Sequence, residues 1–464
     1  MAVVKIEQFH GIAPRIHPSL LGEGMAVTAH NVKLKNGKLV PLRQPEVMRG
    51  IPVFMENGLK EIAKSQSLHA WKRYDGSIEF LAFPGVTWMA DGNLADDEST
   101  RVIVSGDTGF GDSKTEPVLY MRRKGYGGRI LHDIVKKPLN VPPKVSRVEN
   151  VTNPLDDANK RYTYFFWTWV DEYGYESPTS DPSNEIEYND GDTISFSTDG
   201  LEIPKDATTI RVYKVITGTS EGRIQFIKDI TVSGATIGGF SVKVKDEDAG
   251  EIQPDIVAMP SDLKCVIKVP GNYYAGFSPS RPKTVMFSAV DLLYSWPDDY
   301  RYDVDDNIVA LAATSNTVFA LTDGWPFVLS GTGPDTMTVS KLAGPASCVS
   351  PRSVCVFRNA VYYASNQGLM TIYNSADAGT VCANLTDKIF TKDQWLALRP
   401  STCVAGQFDG ALHLFFDNDG PIRGLSIDLT EQADAVTTHD EVAACLCVDN
   451  KTDRMYFVRK GGVR

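Results

Sequence analysis

Apolar and polar residues alternate along most of this chain in short runs. Residues 209–218 read TIRVYKVITG, 317–331 read TVFALTDGWPFVLSG and 412–428 read LHLFFDNDGPIRGLSID. A period of two sends successive side chains to opposite faces of a strand, and the Gly, Asn, Asp and Pro residues between runs form turns. LKNGKLVPL (34–42) carries Asn-Gly and SLHAWKRYDGSIEFLAF (67–83) carries Asp-Gly, both strong hairpin signals. RVIVSGD (101–107) and EPVLYMRR (116–123) add strands. Two stretches follow helical spacing instead. One is PSLLGEGMAVTAHN (18–31), with Leu20, Leu21, Met25, Ala26 and Ala29 apolar. The other is TKDQWLAL (391–398), where Thr391 and Gln394 stand at capping-box spacing. The pattern predicts an all-β chain with few short helices.

A longer beat lies over the alternation. Hairpin-like units recur around Val318, Val361, Leu412 and Met455, at spacings of 43, 51 and 43 residues. A repeated hairpin at roughly 40–50 residues is the mark of a β-propeller, one four-stranded blade per repeat. Six and seven blades fit this beat equally well. Residues 141–260 break it with short strands such as RYTYFFWTWV, DTISFST and TTIRVYKVI, the pattern of an immunoglobulin-like sandwich. The expected organisation has three parts. Residues 1–140 hold an N-terminal arm, a short helix and the first propeller strands. Residues 141–260 form the inserted sandwich, and residues 261–464 the remaining blades.

The run RYTYFFWTWVDEYGYESP (161–178) poses the question of exposure, because aromatic rows either stack on ligands or fill cores. Alternation puts Tyr162, Tyr164, Phe166, Thr168 and Val170 on one face and Phe165, Trp167 and Trp169 on the other. Both faces are largely apolar, which predicts a strand covered on each side. Phe165, Trp167 and Trp169 are therefore the candidate packing or interface residues. One face would lie in the sandwich core, the other against the propeller or a neighbouring subunit.

Composition narrows the function classes. The chain has 464 residues and a net charge of −11, which argues against a general nucleic-acid binder. No run is long and apolar enough for a membrane span, and no basic-then-apolar leader opens the chain, so folding in a cytoplasm is expected. The 7 cysteines lack zinc-ligand spacing and read as small core hydrophobes in a reducing compartment. The 7 histidines have no partner at metal-ligand spacing. SGDTGFGD (105–112) opens like a sialidase Asp-box, but Gly111 and Asp112 stand where a hydroxyl and an aromatic are required, so it reads as a turn. DNDG (417–420) lacks the further ligands of a calcium loop. DDYRYDVDDN (298–307) reads as an acidic loop between blades. No catalytic, cofactor or metal residue is predicted, and the chain is expected not to be an enzyme.

Four segments carry a resemblance. They are FHGIAPRIHPSLLGEGMAVTAHNVKLKNGKLVPL (9–42), YFFWTWVDEYGYESP (164–178), YYAGFSPSRPKTVMFSAVDLLYSWPDDYRYDVDDNIVALAA (273–313) and the series PFVLSGTGPDTM, CVSPRSV, YYASNQGL and FTKDQW. In this order they resemble the tail nozzle and related tail structural proteins of double-stranded DNA bacteriophages, and the inserted module resembles a fibronectin type III domain. The resemblance implies a virion protein assembled in the bacterial cytoplasm. It implies a homo-oligomeric ring, hexameric in the family, below the portal and adaptor. The ring would extend the channel through which the genome passes without specific binding, and would dock fibres or a plug. A collar or baseplate component fits the same segments. A carbohydrate-binding or carbohydrate-cleaving propeller is the alternative raised by the aromatic and Asp content. The chain stops at KGGVR inside a strand-like segment, so its last blade either ends there or is completed by another chain.

Overall fold

A computed structural model of the protein describes residues 9–35, 38–48, 53–54, 64–72, 78–91, 101–109, 118–126, 129–135, 147–152, 158–172, 174–204, 207–215, 224–253, 256–315, 317–344, 346–375, 379–429, 435–449 and 454–460. The chain divides into two compact units. One comprises Met1–Ile134, Ser261–Asp291 and Arg301–Arg464; the other comprises Val135–Pro260 and Leu292–Tyr300.

The first unit holds a β-propeller of seven sheets, besides two two-stranded sheets in the N-terminal arm, counted among the described residues. Blade 1 holds Val53–Phe54, Ser67–Lys72 and Ile78–Phe83; blade 2 holds Thr87–Asp91, Arg101–Gly106, Val118–Tyr126 and Arg129–Val135. Blade 3 holds Lys264–Val269, Tyr273–Ser278, Arg281–Phe287 and Arg301–Asp303; blade 4 holds Ile308–Thr314, Thr317–Thr322, Phe327–Ser330 and Thr338–Lys341. Blade 5 holds Cys355–Phe357, Ala360–Ser365, Gly368–Ser375 and Gly379–Asn384; blade 6 holds Val404–Phe408, Ala411–Phe415, Gly424–Asp428 and Val436–His439. Blade 7 holds Ala443–Asp449 and Arg454–Arg459. Blades 2 to 6 are each four-stranded antiparallel meanders, the arrangement that short turns between alternating runs produce.

Neighbouring sheets meet through buried side chains in chain order. Trp71, Leu81 and Phe83 of blade 1 pack on Val102 and Val104 of blade 2. The Val266 amide of blade 3 donates to Ser105 Oγ of blade 2, and the Leu311 amide of blade 4 donates to Cys265 Sγ of blade 3. Phe319 and Leu321 of blade 4 share a core with Val361, Tyr363 and Ile372 of blade 5. Blade 6 joins blade 5 through Ala364, Leu369, Leu412 and Leu414. Phe415 of blade 6 lies against Phe457 of blade 7, and Phe80 of blade 1 against Tyr456 of blade 7. The order thus returns to its start, which removes the two open faces that a stack of sheets would expose.

The N-terminal arm departs from the helix expected over 18–31. That stretch holds one 3₁₀ turn at Pro18–Leu20, then a short strand, Met25–Ala26, paired in parallel with Gly11–Ile12. The cause is local: Pro18 can open a turn, but Gly24 takes a positive φ of 78° and ends any helical course before Met25. Leu20, placed on the apolar face of the expected helix, is 75% exposed. The second helix forms as Lys392–Ala397, with Thr391 and Gln394 closing the capping box. The hairpin expected at Asn36-Gly37 pairs Lys35 with Lys38.

The second unit is a β-sandwich. One sheet holds Arg147–Asn150, Thr193–Glu202 and Thr236–Lys243; the other holds Phe165–Asp171, Ala207–Val215 and Ile224–Thr231. A separate pair joins Arg161–Thr163 to Ile186–Tyr188. The core between the sheets contains Phe165, Trp167, Trp169, Ile194, Phe196, Ile210, Val212 and Val242.

Candidate functional site

The aromatic strand is resolved by its neighbours. Phe165, Trp167 and Trp169 are buried in the sandwich core, at 0%, 0% and 2% exposure. Trp167 stacks on Phe196 with centroids 6.2 Å apart, and Phe240 lies 4.7 Å from Phe196. Burying a ring of roughly 200 Å² at about 25 cal/mol per Å² contributes about 5 kcal/mol. Stacking a ligand base on an exposed ring returns about 1–3 kcal/mol. The two tryptophans are thus committed to folding, and neither face of their indoles is open to a ligand.

The free edge of this strand is closed by a serine ladder. The amides of Phe165, Trp167 and Trp169 donate to the hydroxyls of Ser183, Ser180 and Ser177 at 3.0, 3.1 and 3.0 Å. The carbonyls of the same three residues accept from the amides of the same three serines, at 2.9, 3.0 and 2.9 Å. Three residues of SPTSDPS answer two residues of strand. An ordinary ladder is not open to this segment, because Pro178 and Pro182 have no N–H. The hydroxyl in each serine supplies the acceptor instead. A Ser-x-x-Ser-x-x-Ser spacing after a strand was the available signal, and the alternation of period two does not reveal it.

The opposite face of the strand carries a buried polar network. Glu176, 3% exposed, accepts from Thr168 Oγ1 at 2.5 Å and from the Tyr213 hydroxyl through Oε1. Arg211 reaches its Oε2 at 3.2 Å and grips Asp229 through two parallel bonds of 2.8 and 3.0 Å. The Asp229 hydrogen bond holds the Arg211 guanidinium above its ordinary range. Burial, then the Glu176 charge, raises the Tyr213 phenol. Tyr175 packs on Tyr294 at 4.9 Å, and burial pushes the Tyr294 phenol up to about 12. Both carboxylate oxygens of Glu176 are engaged, so the group sits as a structural anion with its donors already in place. The face expected to be apolar is in fact tied by ions and hydroxyls within the sandwich.

The remaining candidates are absorbed locally. Ser105 of SGDTGFGD serves the blade 2 to blade 3 bond, while residues 110–112 lie outside the described residues. In DNDG, Asn418 donates to the carbonyls of Leu398 and Ile422 and accepts from the Gly420 amide, which makes a turn. In the acidic stretch, Asp303 accepts from Thr284, Asp305 pairs with Lys341, and Asp306 accepts from the Trp325 amide. Burial pushes the Cys265 and Cys348 thiols up to about 12, which keeps them protonated and unreactive. Among the described residues, no group of three or more His, Cys, Asp or Glu side chains is placed to hold a metal ion, and no helix is long and apolar enough to cross a membrane. Tyr162 and Tyr164 are the exposed rings of the aromatic run, at 45% and 40%.

CVSPRSV (348–354) ties four blades together. The Cys348 amide donates to Thr322 of blade 4, and the Val349 amide to Ala364 of blade 5. Ser350 donates its hydroxyl to the Cys403 carbonyl at the entry to blade 6, at 2.7 Å. Arg352 reaches the Ala444 carbonyl of blade 7 at 3.0 Å. The turn in PFVLSGTGPDTM is held by Tyr302 of blade 3, which donates to the Pro334 carbonyl and accepts from the Met337 amide. Trp395 of FTKDQW donates to the Ser365 carbonyl of blade 5 at 2.7 Å and lies edge-on to Phe416.

No family model and no curated protein matches this chain. Among solved structures it is similar to AztD of Citrobacter koseri, at 13% identity over 64% of this chain and 76% of that one, with a TM-score of 0.28. The CNH domain of AfRom2 matches at 8% identity over 67% of this chain and 88% of that one, with a TM-score of 0.28. A putative 6-phosphogluconolactonase of Bacteroides fragilis matches at 10% identity over 63% and 95%, with a TM-score of 0.22. Likenesses of this size leave the fold to be read from the sheets themselves.

Proposed function

We propose that the chain is a structural protein of a bacteriophage tail. In this reading it is a subunit of a homo-oligomeric nozzle ring, hexameric as the resemblance implies, that extends the DNA-ejection channel and carries no catalysis. Its neighbours would be the portal or adaptor above and fibres or a plug at the side, and DNA would pass without specific binding. One observation carries the reading. The motif residues behind the resemblance, residues 348–354 above all, bond through Ser350, Arg352 and Ser353 to Cys403, Ala444 and Ala364, at blades 6, 7 and 5. Such use suits a part whose task is to hold shape under load. The net charge of −11 is compatible with a channel wall that repels phosphate. Cryo-electron microscopy of the particle, with mass measurement of the purified chain, tests the reading. A ring in the tail is the expected result; a stable monomer that never joins purified tails overturns it. A collar or baseplate position would appear in the same map.

A second reading, a carbohydrate-binding or carbohydrate-cleaving propeller, rests on the exposed rings of Tyr162 and Tyr164. Binding to the host's surface glycans that is lost in Tyr162→Ala would favour it.

A further inference from the structure

The N-terminal arm packs on blade 6 through Phe9, Ile12 and Ala29 and the Lys33–Asp409 pair, and its backbone bonds to the outer strand gather at Thr438. The Thr438 amide donates to the Ala29 carbonyl at 2.9 Å, and the Thr438 carbonyl accepts from the Asn31 amide at 2.7 Å. The Thr438 hydroxyl donates to the Ala29 carbonyl at 3.2 Å and meets His30 Nδ1 at 3.0 Å. These bonds form a single parallel bridge between His30 and Thr438 beside Val436–His439. Thr438 stands next in sequence to a buried imidazole. His439 is 2% exposed, and neither ring nitrogen makes a hydrogen bond of normal geometry. Its ring occupies the space left by the missing side chain of Gly424, where an added Cβ would lie 1.8 Å from the ring. Phe415 closes another side at 5.0 Å.

The groups around this ring oppose a proton. His413, on the second strand, is itself buried and bonded to Ser426 at 2.9 Å, and His30 approaches from the arm. Asp440 and the Leu425 backbone are the groups that favour charge on His439. Lys33 of the arm and Asp409 act on His413 with opposite signs, and they pair with each other at 2.5 Å. Blade 7 presents Phe457, an apolar ring, behind Phe415. Burial, then His413, lowers the His439 pKa to about 3, against an ordinary 6.5.

We propose that blade 6 is an acid-sensitive latch: protonation of His439 expels its ring from the Gly424 cradle and releases the arm segment Ala29–Asn31 from Thr438, while the other blades stay folded. The inference does not depend on the proposed tail role. The sign follows from linkage. A histidine whose folded pKa is depressed leaves the closed state fully favoured above 6.5, and that advantage is lost as the pH falls towards the folded value. With an opened ring titrating at 6.5 and a closed one at about 3, opening rises about a hundredfold between pH 7 and roughly pH 4.5.

Hydrogen exchange of the full chain at these two pH values, corrected for the intrinsic rate, reads this directly. The expected result is a gain of about a hundredfold at the Asn31 and Thr438 amides. No such gain is expected in blade 4 or the sandwich, nor at the same two amides in His439→Gln. An equal gain across the whole propeller, or an unchanged gain at Asn31 in His439→Gln, overturns the latch. Should that variant fail to fold, carbethoxylation of the wild-type protein at pH 7 decides. His439 should react at least tenfold more slowly than exposed His17, and equal reactivity overturns the buried cradle.

Discussion

Trp167 and Ser180 hold each other through both backbone groups: the tryptophan amide donates to the serine hydroxyl at 3.1 Å, and the serine amide donates to the tryptophan carbonyl at 3.0 Å. A tryptophan of the sandwich core and the closure of its sheet edge are thus one local device. Ser183 and Ser177 repeat it at Phe165 and Trp169. Edge strands left open invite pairing with other chains.

Ser180→Ala leaves the buried Trp167 amide without its acceptor. The expected loss is about 1–2 kcal/mol in chemical denaturation, with no change of fold by circular dichroism. The triple change at Ser177, Ser180 and Ser183 should add soluble aggregation, read by light scattering. Unchanged stability in the triple variant would show that water replaces the hydroxyls freely.

Arg211→Met removes the cation beside Glu176 and leaves a buried carboxylate with only the Thr168 and Tyr213 hydroxyls. A loss of about 3 kcal/mol is expected, the range for stripping one partner from a buried pair. Adding Glu176→Gln should recover part of it, because the uncompensated charge goes. A double variant as unstable as the single one would sink this account.

Gly424→Ala drives a methyl group into the His439 ring. Overpacking of this kind costs about 1–3 kcal/mol. His439→Ala in the same chain should restore most of the loss, since it vacates the space. Thermal denaturation of the four members of the cycle measures the coupling.

His413 gives stability a pH dependence of its own. Burial lowers its pKa to about 4 from an ordinary 6.5, so the folded state keeps it neutral while the unfolded chain takes up a proton. The contribution is full above pH 6.5 and falls away as the pH drops towards 4. It amounts to about 3 kcal/mol at most. Denaturant midpoints measured across this interval should fall less steeply in His413→Gln than in the parent. Parallel curves would mean that other groups carry the acid sensitivity.

What could be read from the chain alone is what depends on near neighbours. Alternation of period two specified strands because each side chain's face is set by the residue beside it. The Asn-Gly dipeptide in the sequence signalled the Lys35 to Lys38 pairing, and Thr391 with Gln394 signalled a helix start, because both signals act within four residues. The expected helix at 18–31 failed where its apolar spacing competed with Gly24, whose positive φ ended the turn that Pro18 opens. The longer beat pointed to blades, yet six and seven fitted it equally, since the number follows from packing between sheets. That packing joins Phe80 to Tyr456 across most of the chain's length. The Glu176 network and the His439 cradle were invisible for the same reason. A carboxylate is paired with Arg211 and accepts from the Tyr213 hydroxyl, and an imidazole is housed by the absence of a side chain at Gly424. Only the tertiary structure decides such pairings, because burial and distance are properties of the folded chain, whereas period and turn chemistry are already present in a few consecutive residues.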